Sequence, residues 1–127
     1  MRAVICILGL LLLSGVRLPL TAAESDAEAA ARLRHEITEL IGDARCQNLV
    51  NCRVMGLGAS PCGGPEEYVA YSIWRTRRDD LETKVDAYTF LREEAVRAQG
   101  KPGSCEALPV PNAACVNLRC VVVPAGR

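Results

Sequence analysis

Tyr68-Val69-Ala70-Tyr71-Ser72-Ile73-Trp74 is the strongest strand candidate in this 127-residue chain. Val69, Tyr71 and Ile73 alternate onto one face, and Tyr68, Ala70, Ser72 and Trp74 onto the other. The second face is itself half apolar, so the pattern predicts a strand that is central or covered on both sides. Past Trp74, Thr76 and Asp79 have the spacing of a capping box. Leu81, Val85, Tyr88, Leu91 and Ala95 then trace a helical stripe to about residue 98, which Gly100 and Pro102 end. Before Tyr68 lies the turn-rich run Gly58 to Pro65, preceded by an extended piece, Cys52 to Leu57.

Further out, Ser25 and Glu28 form another capping-box pattern. Ala30, Leu33, Ile37, Leu40, Ile41 and Ala44 follow at helical spacing, predicting a helix to near residue 44. The tail offers two strand candidates, Cys105–Leu108 and Arg119–Val123, around a loop bearing Pro109 and Pro111. The order α-β-β-α-β-β predicts an α+β domain, a small and mostly antiparallel sheet with two packed helices.

The first 23 residues read as a secretory leader. Met1-Arg2 is a short positive start and Ala3 to Leu13 an apolar run too short to span a membrane, which takes about 20 residues. Thr21-Ala22-Ala23 suits a signal peptidase, so residues 24–127 are expected as one processed domain, periplasmic or secreted, with no membrane span. The leader holds Arg2 and Arg17 and no acid, so its removal takes the net charge from 0 to −2. That balance lacks the basic footprint of a nucleic-acid binder.

Processing also removes Cys6 and leaves Cys46, Cys52, Cys62, Cys105, Cys115 and Cys120. An even set in a small exported domain reads as three disulfides. Proximity favours Cys46–Cys52 and Cys115–Cys120, leaving Cys62–Cys105 to close the largest loop of the set. No two cysteines have the C-x-x-C spacing of a redox pair, and the compartment favours bridges over a zinc site, so neither a metal nor a cofactor is expected. His35, the sole histidine, falls off the first helix's apolar stripe and is expected in solvent. No hydrolytic triad can be built around it, and the acid pairs Glu66-Glu67, Asp79-Asp80 and Glu93-Glu94 are adjacent in sequence rather than convergent. The chain is not expected to be an enzyme.

Cys62-Gly63-Gly64-Pro65, Tyr68 and Tyr71-Ser72 spell C-G-G-P-x-x-Y-x-x-Y-S. With Cys52-Arg53-Val54, Gly56-Leu57-Gly58 and a late cysteine pair, most of residues 46–120 resembles a group of small exported bacterial proteins of unknown function. The resemblance implies an envelope or secreted location and supplies no activity.

Arg75, Arg77 and Arg78 cluster where strand becomes helix, next to the aromatic side chains Tyr68 and Trp74. The three arginines read as a recognition loop for an anionic partner, as bait for a trypsin-like protease, or, the weightier reading, as solvated charge offset by Asp79 and Asp80. With Tyr68 and Trp74 they make up the candidate partner-binding residues. The expectation is an exported, non-enzymatic binding or inhibitory module with a protein partner. The alternative is a structural or envelope-maintenance protein with no discrete ligand. Exposure of Tyr68 and Trp74 discriminates them, since a contiguous apolar patch marks a partner site.

Overall fold

The computed structural model describes residues 23–100 and 105–126, so the expected leader, Cys6 included, lies outside the described residues save Ala23. Helix α1, Asp26–Ile41, begins at the expected capping box. Ser25 Oγ accepts from the Glu28 N–H at 3.3 Å, and the Glu28 carboxylate accepts from the Ser25 N–H at 2.9 Å. Donors that a helix start leaves free are thereby satisfied. Gly42, at φ 56°, closes the helix sooner than the apolar stripe suggests.

Strands β1, Cys52–Leu57, and β2, Glu67–Ser72, pair antiparallel with Cys52 opposite Ser72 and Leu57 opposite Glu67. Ile73 and Trp74 are not part of β2. The Ser72 carbonyl accepts from the N–H groups of Arg75 (3.1 Å) and Thr76 (2.9 Å), so the chain turns out of the sheet there. Helix α2, Arg78–Gln99, follows without the expected capping box: Arg77 is its N-cap and makes no side-chain cap bond. Thr76 is instead 2% exposed and donates its hydroxyl to the Leu40 carbonyl at 3.0 Å. A hydroxyl expected to cap one helix thus ties its start to the end of the other, because burial at the helix–helix junction demands a partner.

Ile37 of α1, Leu57 of β1, Tyr71 of β2 and Leu81, Val85 and Tyr88 of α2 form the main core. At its edge Tyr88 donates its hydroxyl to Glu66 at 2.6 Å, and Arg92 Nε reaches the other Glu66 oxygen at 3.0 Å. The loop between β1 and β2 is thereby fastened to α2. Burial first, then the bond to Glu66, pushes the Tyr88 phenol up to about 12 from the ordinary value of 10. Its folded value is raised, so its contribution to stability is complete below pH 10 and is lost as pH climbs toward 12. Tyrosinate absorbance during alkaline titration should show one such late phenol, and Glu66→Gln should bring it down.

The tail departs from expectation. Cys105 to Leu108 is not a strand; β3 spans Asn112–Val116 and pairs antiparallel with β4, Arg119–Val123. Pro109 and Pro111 lack the N–H a ladder needs, so pairing starts only after the second proline. The strands therefore make two separate two-stranded sheets rather than one. A lone hairpin is marginal in water, and β3–β4 is held by cross-links.

Those cross-links are Cys46–Cys115, Cys52–Cys120 and Cys62–Cys105. Only the last was expected. Cys115 and Cys120 do face each other across β3–β4, yet Cys115 bonds to Cys46 and Cys120 to Cys52 at the start of β1. Ala44–Cys46 runs antiparallel along β4, the Cys120 N–H donating to the Ala44 carbonyl (2.9 Å) and the Cys46 N–H to the Leu118 carbonyl (3.0 Å), and this draws Cys46 to the hairpin. Sequence neighbours lost to neighbours in space. The two unexpected bridges, at separations of 69 and 68 residues, also close larger loops than Cys62–Cys105 at 43. With Ala44 they make a second core of sulfur and small side chains.

Candidate functional site

The same pairing that places Cys46 and Cys120 decides what surrounds them. Arg45 and Arg119 are directly opposite each other in an isolated antiparallel bridge. The hydrogen bonds flanking it, from Cys120 to Ala44 and from Cys46 to Leu118, make this the non-hydrogen-bonded kind of pair. That pairing brings the two Cα atoms to about 4.5 Å and turns both side chains to one face. Like charges so placed destabilise a sheet.

Two further elements wall the site. One is the turn after β2, which carries Trp74 and Arg75. Its Ser72 bonds close the turn, and the buried Thr76 hydroxyl holds it to the end of α1. The other is the β3–β4 turn, where Asn117 and Leu118 sit at φ 50° and 61°. A branched residue is uncommon at positive φ. Between these walls lies a cleft of about 520 Å³, lined by Arg45, Cys46, Gln47, Trp74, Arg75, Asn117, Leu118 and Arg119. Trp74 is 55% and Leu118 67% exposed.

The electrostatics are one-sided. Arg45 Nε donates to Asp43 at 2.6 Å, while Arg75 and Arg119 have no carboxylate within ion-pair distance among the described residues. The Arg45 hydrogen bond first, with the nearby charge of Arg75 added, holds the Asp43 carboxyl below its ordinary range. The cleft offers guanidinium and amide donors, an indole face and an aliphatic tip. That set can grip an anion and pack against apolar surface.

Of the five candidate residues, the structure brings two into this cleft, Trp74 and Arg75. Arg77 pairs with Asp80 at 3.5 Å and Arg78 with Glu82 at 3.4 Å, both along the first turns of α2. Tyr68 lies half-buried in β2, lining a shallow groove with Arg34, Thr38 and Val122. The bait-loop geometry is also missing. Trp74 to Thr76 form a turn rather than an extended segment, and Thr76, which follows Arg75, is buried. Sequence reasoning passed over Arg45, Gln47, Asn117, Leu118 and Arg119. Arg45 and Arg119 each precede a cysteine, but Cys46 and Cys120 bond to other partners, and only the backbone pairing brings the two arginines together.

His35 is exposed on α1, 4.0 Å from Glu39. The sulfurs of Cys46, Cys52 and Cys120 lie within 4.8 Å of one another, a spacing a metal could use. All three are spent in disulfides, so none is a thiolate ligand. No helix among the described residues is long and apolar enough to cross a membrane. A scan against protein-family models and searches of the curated proteins and of the solved structures return no match for this chain.

Proposed function

We propose that the chain is an exported, non-enzymatic binding module, acting in the periplasm or outside the cell through the cleft between Trp74 and the Asn117-Leu118 turn. The observation that carries the reading is the opposed pair Arg45 and Arg119. Like charges opposed on one face of an antiparallel pair weaken it, and a binding surface is where such a cost is returned. An exposed tryptophan beside arginines supports it, because these residue types dominate interface hot spots. Three disulfides preorganise the walls, so little entropy is lost when a partner docks. The leader and the bridges together support export.

The test is the double variant Arg45→Gln/Arg119→Gln. Relief of like-charge repulsion at the surface should leave stability within about 0.5 kcal/mol of the parent. A partner retained by the parent, and by an Arg97→Gln control on the far end of α2, should be lost from the double variant. Equal retention by all three proteins would refute the cleft as the binding face.

A further inference from the structure

Resting on that reading, we infer that the cleft takes a short acidic segment of a partner protein, with an aliphatic side chain seated between Trp74 and Leu118. Charge complementarity sets the first half of the match. Three arginines, Arg45, Arg75 and Arg119, line the cleft, and Asp43 bonds only the first of them. Guanidinium forks match carboxylates in bidentate geometry. Two carboxylates from a ligand would pair the arginines that no acid reaches within ion-pair distance among the described residues.

Leu118 sets the second half. It stands in the left-handed region at φ 61° and yet is among the most exposed apolar side chains described. Glycine or asparagine fills such a turn position without the steric cost a leucine carries. The turn holds an aliphatic side chain out in water on the cleft that Trp74 also lines. An acidic saccharide would use the arginines and the indole, but offers little to an isobutyl group. A peptide brings both the carboxylates and an aliphatic side chain.

Trp74 is the sole tryptophan of the chain, so its fluorescence reports the cleft directly. The protein with its three bridges intact is titrated with a capped five-residue peptide, two glutamates on each side of a leucine. Parallel titrations use the same peptide with glutamine for glutamate, a tetramer of galacturonic acid, and inorganic phosphate. The acidic peptide should shift the emission and bind at least about tenfold more tightly than its glutamine twin. Raising salt from about 50 to about 500 mM should weaken it about tenfold, and Arg45→Gln/Arg119→Gln should do the same. Leu118→Asn, which suits the turn, should weaken the peptide several-fold without lowering stability.

Equal binding of the glutamine peptide overturns the acidic character. Tighter binding of the saccharide, or phosphate matching the peptide, overturns the protein-segment occupant. If no probe binds while the double-arginine variant still loses its partner, this inference fails and the binding-module reading survives. If the partner is retained as well, both fail.

Discussion

Removal of the Cys52–Cys120 bridge by Cys52→Ala/Cys120→Ala should cost about 3 kcal/mol, removal of Cys46–Cys115 about the same, and removal of both about 6 kcal/mol. Taken alone, separations of 69 and 68 residues correspond to more than about 4 kcal/mol of loop entropy each. The two loops overlap along most of their length, however. With either one intact the other closes a ring of only about 11 residues, and the logarithmic dependence on ring size cuts its contribution to about 3 kcal/mol. Losing both leaves Cys62–Cys105 as the last long-range tie, and the first core bridge then closes a ring of about 25 residues. Domains of this size are stable by about 5–15 kcal/mol in total. Either single loss should therefore leave a folded protein with a melting temperature lower by on the order of 10–20 °C, while the double loss should release the β3–β4 hairpin or unfold the domain. Urea unfolding of the three variants measures this. Single costs well above 4 kcal/mol would show that the bridges act independently.

The cross-links also explain which parts of the fold were legible in the sequence. Ser25 with Glu28 and Gly100 at φ 79° are local devices, and the helices begin or end on them as read. The order of elements followed from periodicity, which is local too. The disulfide pairing was beyond reach because six cysteines allow 15 pairings and contact depends on the run of Ala44–Cys46 beside β4. Thr76 had the spacing of a cap, and only the packing of α1 against α2 turned its hydroxyl to Leu40. Trp74 and Arg75 were found as an aromatic beside a cation. Their companions Arg45 and Arg119 are 74 positions apart in sequence, and the antiparallel bridge joins them. Half of the cleft was visible for that reason, and the other half was tertiary.

Gly58→Ala should cost about 3–5 kcal/mol, as much as truncating a fully buried core side chain. Two separate penalties meet at this residue. Its φ is 72°, where an L side chain costs about 1–2 kcal/mol. An added Cβ would also overlap Cγ, Cδ and Oε1 of Glu66, and that side chain is not free to yield. Glu66 accepts from the Tyr88 hydroxyl at 2.6 Å and from Arg92 Nε at 3.0 Å, so moving it breaks both bonds and leaves Tyr88, in the core, without its partner. Bonds to a charged group contribute about 1.5–3 kcal/mol. Gly63 separates the two penalties: its φ is 89°, but nothing lies within 4 Å of the Cβ it lacks. Gly63→Ala should therefore lose only the backbone part, about 1–2 kcal/mol. Glu66→Ala should cost about 2–3 kcal/mol by itself. In its background Gly58→Ala should add no more than Gly63→Ala does, since the clash is gone and the bonds are already lost. Urea unfolding of the four proteins completes the cycle. Additive losses, or equal costs at Gly58 and Gly63, would mean that Glu66 does not lock the β1–β2 loop onto α2.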